Sequence, residues 1–249
     1  MYHNISEELW DKIYTYLLGK KGLHVKNEER LRRFMEGVWY VLRTGCQWRL
    51  LPYYYGHWRQ IHRRYKSWSD RGIWSELMSF VSDVDPQAVM IDATIVRAHA
   101  CASGYVKDGN ETQALGRSKG GFTTKIHALV DALGNPIKFI LTGGHRNDIT
   151  QAAELLKEQH NTIVLADKGY DSQELIDTLH NQECSSVIPS RKNAVCPREI
   201  DRELYKERFL IEVFFSKLKQ FRRIFSRFDK TISAFSGFLH LAGAIIWMR

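Results

Sequence analysis

Apolar positions recur every three to four residues through the first 80 positions, which predicts a run of amphipathic helices. In SEELWDKIYTYLLG they place Trp10, Ile13, Tyr14, Leu17 and Leu18 on one face, with Ser6 as N-cap. In NEERLRRFMEGVWYVLRTG the same period selects Leu31, Phe34, Met35, Val38, Trp39 and Leu42, and Gly45 supplies a C-terminal stop. WRLLPYYYGHWRQIHRRYKSWSDRG then reads as a short helix, a turn at Tyr55-Gly56-His57, and a longer helix from about Trp58. That helix buries Trp58, Ile61, Tyr65 and Trp68 and exposes Arg59, His62, Arg63, Arg64 and Lys66.

The pattern changes near residue 86. QAVMIDAT and TIVLADKGY are short apolar runs that suit buried strands, ending in Asp92 and Asp167. FTTKIHALVDA and PIKFILTGG alternate as strands across a turn at Gly134-Asn135. DITQAAELLKEQH and SQELIDTLHNQ read as helices, SSVIPS as a last strand, and residues 101–121 as a mobile polar loop. YKERFLIEVFFSKLKQFRRIFSRFDK, residues 205–230, reads as one long helix, with Leu210, Phe214, Leu218, Phe221 and Phe225 as its apolar stripe. The apolar FLHLAGAIIWM closes the chain as a buried helix. The order is an all-helical segment, 1–85, followed by an α/β domain, 86–249, with a mixed five-stranded sheet: an α+β chain overall.

Composition adds a partner class. The 249 residues carry a net charge of +8 with 44% hydrophobic positions, a packed protein suited to an anionic partner. Segment 43–74 holds seven Lys/Arg against one acid, Asp70, with aromatic residues between them, which fits a helix-turn-helix. A small helical bundle with a solvated basic face fits that segment equally well. Cys46, Cys101, Cys184 and Cys196 form no C-x-x-C pair and read as free thiols. No secretory signal is evident, and the final apolar run is shorter than the roughly 20 residues that span a bilayer, so cytoplasm is expected and a membrane is not. GRSKGG lacks the G-K-[ST] order of a phosphate loop.

The candidate chemistry is acidic. Asp92 and Asp167 end buried strands, where an unpaired carboxylate is costly. Asp171 reads as a cap for the next helix. Between Arg208 and Phe228 six cations surround one acid, Glu212. At about 100° per residue, Tyr205, Arg208, Glu212, Ser216 and Lys219 share a stripe within about 40°. A simple Arg208–Glu212 pair is the plain reading of that stripe, stabilising by a few tenths of a kcal/mol, ~0.2–0.5. Three converging acids would instead suit Mg²⁺ or Mn²⁺, two such ions clamping a phosphoryl displacement.

Tyr205, Arg208, Glu212 and Lys219 match Y-x2-R-x3-E-x6-K without a gap, and MIDAT and LADKGYDS stand upstream in order. With GRSKGGFTTKIHALVD, GGHRNDITQA and LRTGCQWRLLP through RRYKSW, the chain resembles DDE transposases of bacterial insertion sequences. The group is that of insertion sequence five, within the larger group shared with insertion sequence four. The resemblance covers nearly the whole chain. It implies an RNase H-like catalytic domain after a helix-turn-helix-like DNA-binding domain. It makes Asp92, Asp167 and Glu212 both catalytic residues and ligands of two Mg²⁺ ions, with Mn²⁺ as substitute. Tyr205, Arg208, Lys219, Arg222 and Arg223 are then expected on DNA, as are Arg59, Arg63, Arg64 and Lys66. The implied reaction is metal-dependent cleavage at the element's ends, freeing a 3′ hydroxyl that attacks target DNA. The implied partners are double-stranded DNA (terminal inverted repeats and target) and a second copy of the chain in the synaptic complex, in the bacterial cytoplasm with the nucleoid. The short connection from Pro189 to Ile200 argues against a large insertion before the Glu212 helix. A non-catalytic DNA-binding regulator and a nuclease that only hydrolyses are the alternatives.

Overall fold

The computed structural model describes residues 6–23, 25, 27–103, 111–118, 121–194 and 197–248. Cys196 and, of the expected loop at 101–121, residues 104–110, 119 and 120 lie outside them; the described part of that loop includes a short strand, Gly116–Ser118. The chain divides into two compact units, 1–82 with 218–249, and 83–217.

The first unit is helical: α1 (Glu7–Gly19), α2 (Glu28–Thr44), α3 (Trp58–Asp70), α4 (Ile73–Val81) and, from the chain's end, α10 (Ile232–Trp247). Ser6 caps α1, accepting from the Leu9 N–H at 3.4 Å. Gly45 ends α2 in the left-handed region, φ 66°, its N–H donating to Val41 O. The expected faces are largely buried, while Leu18 stays 54% exposed. Aromatic rings make the core, with Tyr65 and Phe238 stacked at 4.3 Å and Phe34 edge-on to Trp68 at 5.0 Å. The Tyr65 hydroxyl donates to Ala234 O. The sequence reading put residues 218–249 in the second domain, but apolar α10 packs on α3 and α4. Between α2 and α3 the chain makes two single 3₁₀ turns, Trp48–Leu50 and Tyr53–Tyr55, rather than one short helix and a tight turn.

The second unit is a mixed sheet with helices: β1 (Ala88–Ala98), β2 (Gly116–Ser118), β3 (Gly121–Asp131), β4 (Pro136–Gly143), α5 (Ala152–Leu156), β5 (Ile163–Leu165), α6 (Gln173–Asn181), β6 (Ser185–Val187), α7 (Arg202–Lys206) and α8 (Phe209–Lys219). The strands run β4-β3-β1-β5-β6, with the short β2 also on β3. β4, β3 and β1 are antiparallel in chain order, and β5 and β6 join parallel to β1, the RNase H-like arrangement expected from the resemblance. β3 is buried on both faces from Thr123 to Asp131 rather than alternating. One face packs Val89, Ile91, Leu129, Val164 and Ala166 against Leu155 and Leu175 of α5 and α6. On the other, Phe214 of α8 stacks on Phe139 of β4 at 6.0 Å.

The expected helix over 205–230 is broken. α7 stops at Lys206, and the Arg208 and Ile211 N–H groups bond three residues back, to Tyr205 O and Arg208 O. α8 stops at Lys219, Phe221 is extended, and a single turn, α9 (Arg222–Phe225), follows. The buried stripe of α8 is Ile211, Phe214, Phe215 and Leu218, and Phe225 is 63% exposed. The break turns Arg223 and Arg227 inward: both are buried, and Arg223 makes two bonds to Asp229, at 2.8 and 3.0 Å.

Candidate active site

Parallel strands carry the two aspartates. β1 and β5 pair up to Met90↔Leu165, two residues before Asp92 and Asp167, and the charge of Asp167 acts on Asp92. Val89, Ile91, Val164 and Ala166 occupy the α5–α6 face. Alternation along β1 therefore turns Asp92 to the face that α8 covers. Asp92 is not at the strand's end as expected. β1 continues to Ala98 because it stays paired with β3 beyond the point where β5 leaves.

Backbone amides orient both carboxylates. Asp92 Oδ1 accepts from Ala93 N at 2.7 Å, and Asp167 Oδ1 accepts from Gly169 N at 2.7 Å, capping a 3₁₀ turn over Lys168–Tyr170. A Cβ at residue 169 would stand 2.8 Å from Asp167 Oδ1, so glycine leaves room for this carboxylate. Asp171 does not cap α6. It accepts from Arg191 N at 2.7 Å and pairs with Arg198, tying down the segment before α7.

Glu212 enters from the first turn of α8, its side chain 58% exposed. Arg208 links it to the sheet: Nη1 donates to Asp92 Oδ2 at 3.1 Å, and Nη2 donates to Glu212 Oε1. The plain Arg208–Glu212 pair therefore exists, extended by a third residue 116 positions away. Burial raises the Asp92 carboxyl above its ordinary pKa; Ala93 N–H and Arg208 oppose that, and Asp167 and Asp148 add to it. Burial works against the Arg208 charge, but Asp92 and Glu212 outweigh it and hold its pKa up. Tyr170, which the sequence reading passed over, is fully buried with an unpartnered hydroxyl. Burial raises its pKa strongly, as do the charges of Asp92, Asp148 and Asp167. Its place in DKGY, next to Asp167, was the available signal.

Among the described residues, no three of His, Cys, Asp and Glu stand close enough to hold a metal ion. The acids gathered around Arg208 are oxygen donors, the ligand type of hard divalent cations, and one cation, the guanidinium, already lies against two of them. Tyr205 and Lys219 are half-buried on α7 and α8, and Arg222 is exposed on α9. Arg59 and Arg63 are exposed on α3, Arg64 is half-buried, and Lys66 pairs with Asp70.

Residues 83–247 match the family described as transposase DDE domain. The chain belongs to this DDE transposase family. Residues 5–78 match a second family, described as putative transposase of the IS4/5 family. A putative transposase for insertion sequence element IS6501 from Brucella ovis is 44% identical over 129 residues, 51% of this chain and 99% of that protein. A putative transposase for IS402 from Burkholderia cepacia is 31% identical over 135 residues, 49% of this chain and 62% of that one. Among solved structures, the catalytic domain of Mos1 mariner transposase is similar at a TM-score of 0.29 and 15% identity, with 74% of this chain and 89% of that one covered. A piggyBac transposase in a synaptic complex with hairpin DNA gives 0.35 and 16%, with 78% of this chain but only 44% of that chain covered. Both likenesses are remote. No described helix of this transposase is long and apolar enough to cross a membrane.

Proposed function

We propose that this transposase cuts double-stranded DNA at the ends of its element and joins the released 3′ hydroxyl to target DNA. The observation that carries the reading is the link from Asp92 through Arg208 to Glu212, with the charge of Asp167 acting on Asp92. Asp92, Asp167 and Glu212 are the residues to hold two Mg²⁺ ions, or Mn²⁺ in their place. Bound there, such ions supply Lewis acidity toward the phosphodiester oxygens. Asp92 and Asp167 are oriented by backbone N–H groups and so need little rearrangement. Glu212, on an exposed helix turn, is the ligand with freedom to swing. Arg208 keeps its charge when desolvated and presents a planar fork suited to a phosphate.

Tyr205, Lys219 and Arg222 are further candidates for contact with DNA. Arg223 is left out of the DNA contacts because Asp229 already holds it. In the helical unit, Arg59 and Arg63 are exposed cations of α3, joined by Lys66 once released from Asp70, while Arg64 is held against Phe34 and Trp68. Residues 83–217 carry the chemistry, and the helical unit recognises the terminal inverted repeats. Two ends must be joined, so a homodimer is expected in the synaptic complex.

A strand-transfer assay tests the proposal: purified protein, a labelled end fragment, and Mg²⁺ or Mn²⁺, beside Glu212→Gln. Cleavage and joining that vanish in the variant support it. Salt-sensitive binding without cleavage in either protein points to a DNA-binding regulator. Cleavage without joining points to a hydrolytic nuclease.

A further inference from the structure

The helical unit carries a second cationic feature, separate from Arg59 and Arg63. Two neighbouring cavities, of about 520 and 460 Å³, are both lined by Arg30 of α2 and Arg64 of α3. Arg33, Tyr53 and Tyr54 line the first, and Arg71 lines the second. Arg64 is fixed in orientation, its guanidinium carbon 4.5 Å from the Phe34 ring centroid and 5.0 Å from that of Trp68. Burial, and then the charge of Arg30, lowers the Arg64 pKa. Among the described residues no carboxylate pairs with Arg30, Arg64 or Arg71. Among the described residues that line the groove the one acid, Glu29, is paired with Arg33 at 2.5 Å.

Holding several arginines together with so little compensating charge is unfavourable until an anion arrives. The rings beside them narrow the choice of anion. Tyr53 is 83% exposed and Tyr54 62%, and the Arg33 guanidinium stands 5.6 Å from the Tyr54 ring. A helix that reads duplex DNA needs cations and polar groups, whereas an exposed ring offers a flat face on which a base can stack. In a duplex the base faces are already stacked on one another. Cations beside exposed aromatic rings suit an unpaired strand. The larger cavity falls within the roughly 300–1,000 Å³ that accepts a small organic ligand, enough for a nucleotide.

We propose that this groove binds unpaired DNA, with Arg30, Arg64 and Arg71 on successive phosphates and Tyr53 and Tyr54 stacking a base. It rests on the DNA-acting reading above and adds to it a single-stranded segment.

The test is equilibrium binding of the full chain, in EDTA, to a labelled short oligothymidine and to a blunt duplex. Two variants remove exposed groups only: Arg30→Gln/Arg71→Gln and Tyr53→Ala/Tyr54→Ala. Thermal melts confirm that both fold. Each is expected to weaken oligothymidine binding about tenfold or more and to change duplex binding by less than about twofold. The arginine variant should also flatten the logarithmic salt dependence by roughly 1.4, at about 0.7 per phosphate contact on a single strand. Equal losses on single strand and duplex would make the groove a duplex-backbone site and overturn the proposal. So would unchanged oligothymidine binding, or a clear preference for oligouridine over oligothymidine. Without divalent ions no strand is cut, so absent strand transfer defeats the catalytic reading and leaves this measurement readable.

Discussion

Arg208 Nη1 stands 3.1 Å from Asp92 Oδ2, joining the helix that carries Glu212 to the central strand of the sheet. A cation thus already lies against two of the three acids proposed as catalytic. The charges it neutralises are crowded, and burial together with Asp167 and Asp148 raises the Asp92 pKa even with Arg208 in contact.

That crowding predicts opposite effects on stability and activity at one residue. A carboxyl whose folded pKa is raised contributes most when protonated, and the contribution is lost as pH rises through that value. Asp92→Asn is therefore expected to raise the unfolding midpoint at pH 7 in EDTA while reducing cleavage about 100-fold or more. Glu212→Gln should lose as much activity with no change in midpoint, since its side chain is 58% exposed. Thermal melts beside cleavage assays check both. A lower midpoint for Asp92→Asn would mean that its ionised form stabilises the fold.

Gly169 makes the site sensitive to one methyl group. A Cβ there would fall 2.8 Å from Asp167 Oδ1, so Gly169→Ala must displace the carboxylate or the turn. A misplacement of about 1 Å can cost on the order of 100-fold in rate. Cleavage should fall by at least about tenfold, with the circular-dichroism spectrum retained.

His127 predicts acid sensitivity. It is fully buried, its Nε2 lies 2.8 Å from Thr142 Oγ1, and burial lowers its pKa from 6.5 to about 4. Between those values the unfolded chain binds the extra proton. The stabilising contribution is complete above about pH 6.5 and lost as pH falls toward 4, by roughly 3 kcal/mol at most. Urea unfolding from pH 7.5 to 4.5 should show this slope, and His127→Gln should flatten it relative to the parent. Parallel slopes would show that His127 titrates normally in the folded state.

Neighbouring arginines should behave differently. Arg223 and Asp229 are each about 95% buried and paired, so Arg223→Ala leaves a buried carboxylate and should cost about 3–5 kcal/mol. Arg222 is exposed, and Arg222→Ala should change stability by less than about 0.5 kcal/mol. Denaturant titration separates the two. DNA affinity, measured by titration with an end fragment, should fall in Arg222→Ala.

Local pattern in the chain was enough to determine much of this protein. Apolar spacing selected the buried faces of α1, α2 and α3, and Ser6 and Gly45 marked ends where the helices do begin and stop. Two apolar runs located β1 and β5 with their aspartates, and the spacing of Arg208 and Glu212 set up their contact across one helical turn. Each of these depends on residues close in sequence, where periodicity and capping act directly. Only the tertiary structure decided what those faces meet. It broke the basic helix at residues 207–208 and 220–221, buried Arg223 against Asp229, and packed α10 on the first unit. It also paired Arg208 with Asp92 across 116 residues and set Arg64 between two aromatic rings. Periodicity says which side of an element is apolar, but burial, strand register and ion pairing depend on partners that no local pattern names.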